Sequence, residues 1–262
     1  MANKALAVLE DALRARQLDR TLTTALAPLE RKDAAAQAAV DVAALDARLG
    51  GGLPRGQLSE IAGPRSSGRT LLLLQTIAAA TRRGEIAALV DTLDRLDVAS
   101  VVAAGVDLDR LLWIRGDAIS QGPASPCGVR LQAEDRAVDR ALKALNLVLQ
   151  AGGFGVVALD LADVPASALR RIPFTTWLRV QRAIEGSDTA CVLLGAQPLA
   201  RSAGGVTISL SARSEWTGES DRSRRLTGMD VDARVVAPRR RLDRESVEGT
   251  AHVRCDLQDG LR

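Results

Sequence analysis

Short apolar runs alternate along the chain with amphipathic stretches, and this pattern predicts a mixed α/β fold. The segments "QLSEIAG", "EIAALVDT", "LLWIRG", "FGVVALDLADV" and "TACVLLGAQ" have the length and composition of buried strands. Between them, "RTLLLLQTIAAATRRG", "DRLDVASVVAAG", "DRAVDRALKALNLVLQAGG" and "ALRRIPFTTWLRVQRAIEGSD" each predict one helix, and "DAISQGPASPCG" predicts a loop. Apolar strands that alternate with helices are typical of a mostly parallel sheet covered on both faces.

The two ends of the chain depart from this alternation. Residues 2–48 predict helices, including one over "DAAAQAAVDVAALDARL", and "GGGLPRG" at 50–56 ends that pattern. Towards the other end, "GGVTISLSARSEW", "DARVVAPRRR" and "TAHVRCDL" alternate like antiparallel strands. We therefore predict an N-terminal helical segment at 1–48, a core at 49–244, and a strand or tail at 245–262 that is a candidate partner-binding segment.

Composition limits the classes of function that fit this chain. Its 262 residues are 47% hydrophobic and 26% charged, which suits one large α/β domain or a domain with smaller terminal additions. Aromatic residues make up only 2%, without any tyrosine, which argues against a protein that binds single strands mainly by base stacking. The formal net charge of +3 is compatible with nucleic acid as a partner without requiring it.

Cysteine and histidine usage argues against a metal or disulfide framework. The three cysteines lie far apart, and the single histidine, His252, leaves no second imidazole for a zinc site or a Ser/His/Asp triad. Reduced thiols in a cytoplasmic protein are the better interpretation. We see neither a run of membrane-span length nor a signal peptide, and expect a cytoplasmic, nucleoid-associated protein without a membrane partner.

The segment "GPRSSGRT" at 63–70 has the outline of a phosphate-binding loop, G-x-x-x-x-G-K-[ST], between a strand and a helix. In such a loop backbone N–H groups and the helix N-terminus bind the phosphates, while the threonine hydroxyl holds Mg²⁺. Arg69 stands where the lysine belongs, and its longer planar group cannot replace a compact point charge. Two alternatives stay open: the loop holds a nucleotide or plain anion, or it holds neither. The sequence requires no cofactor, and ATP with Mg²⁺ is the one to test. The candidate residues are Gly63, Ser66, Ser67, Gly68, Arg69 and Thr70.

Residues 44–97, which include "LDARLGGGLPRGQLSEIAGPRSSGRT", closely resemble the start of the ATPase core of RecA-like recombinases. The resemblance continues to about residue 240. It places Asp160 at the Walker B position and Gln197 at the glutamine that senses the γ-phosphate. It implies a RecA-like core, a mostly parallel twisted sheet with helices on both faces, preceded by a helical N-terminal segment and closed by antiparallel strands.

Departures from the RecA pattern affect the groups that would carry its chemistry. Leu93 occupies the position of the catalytic glutamate, and leucine can neither accept a proton nor orient a water molecule. The two segments that match the DNA-binding loops of RecA are short. A DNA-dependent ATPase or recombinase would need a surrogate base, and the candidates are Asp94 and Glu60.

A RecA-like chain with these departures resembles the ImuA family, accessory proteins of mutagenic translesion synthesis in the SOS response, which are related in fold to SulA. The resemblance implies a scaffold without chemistry of its own. Its partners would be an ImuB-type homologue of Y-family polymerases, an error-prone replicative-class DNA polymerase and RecA. Two alternatives remain open: a RecA-family DNA-dependent ATPase or recombinase, and a SulA-like inhibitor of cell division.

Arginines near the chain's last strands are candidate DNA contacts. They would neutralise phosphates in a groove, or else form a solvated face, since acidic residues are interleaved with them. Any DNA binding is expected to be independent of sequence and to weaken as salt rises. The candidates are Arg201, Arg213, Arg222, Arg224, Arg225, Arg239, Arg240 and Arg241.

Overall fold

The computed structural model describes residues 36–116, 127–200, 205–218, 220, 222–236 and 249–256, with the backbone alone for 127–132, 236 and 249–256. The chain divides into two units, residues 1–33 and 34–262. The helices predicted before residue 36 lie outside the described residues. No helix in the described part of the chain is long and apolar enough to cross a membrane.

Ten strands and six α-helices occur in the described residues, with a short 3₁₀-helix at Leu108–Arg110. The strands are β1 Gln37–Ala38, β2 Leu53–Pro54, β3 Gln57–Ala62, β4 Ala87–Asp91, β5 Leu111–Arg115, β6 Val156–Asp160, β7 Ala190–Gly195, β8 Thr207–Thr217, β9 Arg225–Val236 and β10 Gly249–Asp256. The α-helices are α1 Ala43–Leu49, α2 Arg69–Arg82, α3 Val98–Ala103, α4 Cys127–Ala151, α5 Ala166–Leu169 and α6 Phe174–Ile184.

Eight of these strands form one sheet in the order β10-β9-β8-β3-β7-β6-β4-β5. The six strands from β8 to β5 are parallel, and β9 and β10 close the sheet through antiparallel pairs. This arrangement confirms the predicted mostly parallel α/β fold with antiparallel closing strands. It also brings the carboxyl ends of β3, β7, β6 and β4 to one edge, where ligands of such sheets bind.

Both faces of the sheet are covered, because successive residues of a strand point to opposite sides. In β4, Ala87 and Leu89 belong to a core cluster shared with α1, α2 and α3. Ala88 and Val90 belong to a second cluster shared with α4 and α6. The continuous apolar runs that predicted buried strands therefore reflect burial on two sides. Cys191 of β7 is fully buried, and burial raises the pKa of its thiol to about 12, which fits a core thiol.

The prediction of one helix over residues 33–49 is wrong for the first half of that range. Gln37–Ala38 form strand β1, which pairs with β2, and the helix is limited to Ala43–Leu49. Asp41, between the two, has a φ of 57°, a left-handed conformation that a continuous helix does not accommodate. The predicted break after the helix agrees with the structure, since Gly50 ends α1 with a φ of 70°.

Two other helix boundaries also differ from the prediction. The single helix predicted from Ala168 is two helices, α5 and α6, because Pro173 lacks the N–H that a continuing helix needs and instead precedes the first turn of α6. Helix α4 begins at Cys127, inside the predicted loop "DAISQGPASPCG", and runs 25 residues. Residues 117–126 of that loop lie outside the described residues.

Candidate functional site

The phosphate-loop segment connects the end of β3 to the start of α2, as the sequence predicts, and it is packed against itself. Gly68 precedes the helix with a φ of 83°, and Ser66 is also left-handed, with a φ of 59°. A Cβ atom added to Gly63 would lie 2.4 Å from the Ser67 hydroxyl oxygen and 2.8 Å from the Leu210 carbonyl oxygen. Only glycine fits at Gly63.

Arg69 turns its charge into the loop rather than outwards. Its side chain is 7% exposed, and Nη1 donates a 2.6 Å hydrogen bond to the carbonyl oxygen of Gly63. Its Nη2 lies 3.4 Å from the Asp163 carboxylate, which is also 3.4 Å from the exposed guanidinium of Arg65. The cation of the loop is thus engaged by a loop carbonyl and by an acidic residue from the neighbouring β6–α5 connection. Asp163 has no counterpart among the predicted site residues; its position three residues after Asp160 is the signal that could have suggested it.

Leu93, at the position that the RecA resemblance assigns to the catalytic glutamate, is buried and packs in the second core cluster. The next residue, Asp94, accepts two hydrogen bonds of 2.8 Å from Arg115. That pairing holds the pKa of Asp94 below its ordinary value. Because a base must accept a proton, this ion pair makes Asp94 a poor surrogate for the missing glutamate.

Glu60, the other candidate base, is held inside β3 by a set of hydrogen bonds. It is 2% exposed; Oε1 accepts from the backbone N–H groups of Leu199, at 2.8 Å, and Ala200, while Oε2 accepts from the Thr207 hydroxyl at 3.2 Å. The neighbouring Ser59 hydroxyl accepts from Val206 N at 3.2 Å. Two adjacent β3 side chains therefore fix both ends of the connection between β7 and β8. An acid in the middle of a strand that is predicted to be buried was the sequence signal for this role.

Asp91 and Asp160 end neighbouring strands, β4 and β6, in direct register. The Asp91 carboxylate accepts from Arg95 N and Leu96 N, both at 2.9 Å, and from the indole N–H of Trp113 at 3.2 Å. It therefore shapes the turn that contains Leu93.

Asp160 accepts a 2.8 Å hydrogen bond from Ala162 N. The pKa of Asp160 is raised to about 6, mainly by burial and in smaller part by the nearby carboxylates of Asp91 and Asp163.

The raised pKa of Asp160 predicts a pH-dependent stability effect. Between its ordinary pKa of 3.8 and the folded value of about 6, the folded chain binds more protons, so stability falls as pH rises through this window. We expect Asp160→Asn, which keeps the acceptor for Ala162 N, to raise the free energy of unfolding by about 1–3 kcal/mol at ~pH 8 and to have little effect at ~pH 4. Urea denaturation at both pH values measures this difference.

A matched control is Asp97→Asn. Asp97 caps α3, and hydrogen bonds from Ser100 lower the pKa of its carboxyl group, so its stabilising effect is present at neutral pH and is lost as pH falls through the folded pKa. Its asparagine variant should therefore be less stable than the unmodified chain at ~pH 8. A stability gain that was equal for both variants would contradict the burial of the Asp160 charge.

Thr70 and Gln197 are exposed. Gln197 follows β7 and lines a groove of about 550 Å³ with residues of α5 and α6. The loop and the strand ends thus assemble the predicted nucleotide-binding residues at one edge of the sheet, but with Arg69 turned inwards. In the described residues no group of three or more His, Cys, Asp or Glu side chains is arranged to hold a metal ion.

Four of the candidate DNA-binding arginines lie on one hairpin. Arg213 is on β8, Arg222 is in the turn, and Arg224 and Arg225 lead into β9; all four are exposed. In the strand register Arg213 is opposite Asp230, so acidic and basic residues share this surface. The other candidates, Arg201, Arg239, Arg240 and Arg241, lie outside the described residues.

These residues do not fit a site that hydrolyses ATP with Mg²⁺. The loop cation is bound by Gly63 and Asp163. Leu93, at the position that the RecA resemblance assigns to the base, lies in the core, and the adjacent carboxylate of Asp94 is paired with Arg115. The Ser67 hydroxyl, buried within the loop, has no hydrogen-bond partner. The segment at 63–70 keeps the backbone outline of a phosphate loop, while the charged side chains in and beside it are paired within the protein.

Comparison with known proteins agrees with this frame. Residues 12–124 match the family model of the RecA N-terminal domain. Protein RecA of Synechocystis sp. is 49% identical over 73 residues, which are 28% of this chain and 21% of that protein. Protein RecA of Methylococcus capsulatus is 39% identical over 118 residues, 45% of this chain and 28% of that protein.

The region that the family model matches includes β2, β3, the phosphate loop, α2 and β4. These matches and the fold support RecA-superfamily membership for this chain. The chain spans about a fifth to somewhat more than a quarter of the length of the curated relatives it matches, as with Protein RecA of Arthrospira platensis, of which 20% is covered at 53% identity.

Proposed function

We propose that this chain is a RecA-fold accessory protein of damage-induced, translesion DNA synthesis that acts by binding partners and not by hydrolysing ATP. The observation that carries this proposal is the inward Arg69, held by the Gly63 carbonyl and Asp163, together with Leu93 in the core. Both features remove groups that a RecA-type ATPase uses on the γ-phosphate. A fold that lacks those groups still presents surfaces to which other proteins can bind, and we assign its function to that binding.

The alternative of a DNA-dependent ATPase is supported by the outline of the loop and by the similarity to RecA proteins. It requires a substitute base, and both candidates have structural roles: Asp94 pairs with Arg115, and Glu60 holds the β7–β8 connection. The arrangement therefore favours the accessory role. The SulA-like alternative has no specific observation in its favour.

The proposed partners are an ImuB-type polymerase homologue, an error-prone replicative-class DNA polymerase and RecA. Pull-down of each purified partner by the full chain tests this assignment. We expect binding of at least one partner with and without ATP and Mg²⁺, because the loop is engaged internally. Binding of none of the three, or binding that requires ATP hydrolysis, would contradict the proposal.

DNA is a further proposed partner through the hairpin arginines. Binding should be independent of sequence and should weaken steeply with salt, because exposed guanidinium groups displace counterions from phosphates. Fluorescence anisotropy with a labelled single strand at increasing salt measures this. A charge-reversed Arg222→Glu variant should lower the affinity, and an affinity that stays constant with salt would exclude this contact.

A further inference from the structure

The groove beside Gln197 is lined by the segments after β6 and β7, which resemble the two DNA-binding loops of RecA, and by no residue of the phosphate loop or of the DNA hairpin. Its volume is about 550 Å³, and it lies between the α5–α6 region and the connection after β7. Its walls are largely aliphatic, with Val164, Leu169 and Ile172 on one side and Leu199 on the other. Phe174, at the start of α6, is 48% exposed at this groove. An open groove of this size, whose side chains are mainly apolar with Arg170 and Gln197 among them, is able to accept large side chains from another molecule.

The apolar surface continues along helix α6. Leu178 is 38% exposed and follows Phe174 by four residues, so the two side chains lie on the same side of the helix. Large apolar residues that stay exposed as a contiguous patch are typical of binding sites. The groove and this side of α6 together present an apolar strip.

Positive charge predominates in the segment that forms this strip, which lies between Asp163 and Glu185. Residues 164–184 contain four arginines and neither aspartate nor glutamate. Arg170 lines the groove, and Arg179 and Arg182 are exposed on α6. Arg171 pairs with Asp135 of α4 at 3.0 Å. Arg170 thus borders the groove, and the other two exposed arginines share helix α6 with Phe174 and Leu178. Complementary charge directs association towards an acidic partner.

We propose that this strip binds an acidic protein segment that inserts one or two large apolar side chains into the groove. Single-stranded nucleic acid is the competing class, since it also carries negative charge. The groove favours the peptide because its walls are aliphatic and concave, whereas a single strand is held by flat aromatic platforms along a basic track. Of the two aromatic residues that line the described groove, Phe174 is exposed and Trp177 is buried, so one ring is accessible to a ligand.

This inference rests on the proposed scaffolding role and defines the chemistry of one partner. The test uses the full chain and a phage-displayed library of short random peptides, followed by anisotropy measurements on synthetic copies of the selected peptides. We expect the selected peptides to combine acidic residues with leucine or aromatic anchors. Their Kd should rise by at least about tenfold for Phe174→Ser and for Arg170→Glu.

The matched controls replace exposed residues outside the groove. Leu147→Ser on α4, where the side chain is 67% exposed, and Arg48→Glu on α1, an exposed arginine without a proposed binding role, should leave the Kd unchanged. The inference is overturned if the selected peptides do not combine acidic with large apolar residues. It is equally overturned if substituting Phe174 or Arg170 leaves the Kd of the selected peptides unchanged. It is also overturned if oligodeoxythymidine binds through Arg170 and displaces the peptide. A failed pull-down of the polymerases would reject those partners without altering this result.

Discussion

Replacing Glu60 by leucine is expected to lower the free energy of unfolding by about 3–4 kcal/mol. The carboxylate is buried and accepts hydrogen bonds from Leu199 N, Ala200 N and the Thr207 hydroxyl. Leucine has a similar size but no acceptor, so these donors would remain buried without partners. Urea denaturation at neutral pH measures the loss.

The matched control is Glu60→Gln, which keeps one acceptor oxygen for the two backbone N–H groups and should cost only about 1 kcal/mol. Comparing the two variants distinguishes a carboxylate that stabilises the fold from one that serves as a catalytic base. If Glu60→Leu were as stable as the unmodified chain, the carboxylate would not hold the β7–β8 connection, and its assignment as a structural residue would be wrong.

Substituting Gly63 by alanine is expected to cost about 2–3 kcal/mol, because the added Cβ overpacks the loop. It would lie 2.4 Å from the Ser67 hydroxyl oxygen, 2.9 Å from Ser67 Cβ and 2.8 Å from the Leu210 carbonyl oxygen. One of those neighbours is backbone of β8, which cannot move without disturbing the sheet. Thermal and urea unfolding of the variant measure the effect.

Gly152→Ala provides the control for this substitution. Gly152 has a left-handed φ of 68°, and a Cβ there meets nothing within 4 Å, so the change introduces backbone strain alone, about 1 kcal/mol. Equal losses for the two variants would show that crowding inside the loop is not what makes Gly63 necessary.

The sheet was the most predictable part of the molecule, for a physical reason. Strands such as β4 and β7 are covered on both faces, which requires unbroken apolar runs that are visible in the sequence. Helix boundaries were less predictable, because they depend on local backbone states. The left-handed Asp41 leaves no hydrophobic pattern, and Pro173 was embedded in a stretch whose spacing suits one helix.

The candidate site was predictable in its position but not in its internal contacts. The glycine pattern placed the loop between β3 and α2, and Leu93 was evident as a missing acid. That Arg69 donates to Gly63 depends on which way a long side chain turns, and its partner Asp163 is 94 residues away in sequence. The role of Glu60 likewise depends on a connection about 140 residues distant that folds back onto β3.

ATP hydrolysis shows whether the loop of this chain has kept the chemistry of RecA. Phosphate release should be followed for the unmodified chain and for Arg69→Lys, each with and without single-stranded DNA. We predict no turnover above the protein-free blank in any of the four cases, because a lysine restores the cation while Leu93 still leaves no base. Turnover that Thr70→Ala abolishes, in either protein, would show that the loop is a working ATPase site and that the chain is an enzyme.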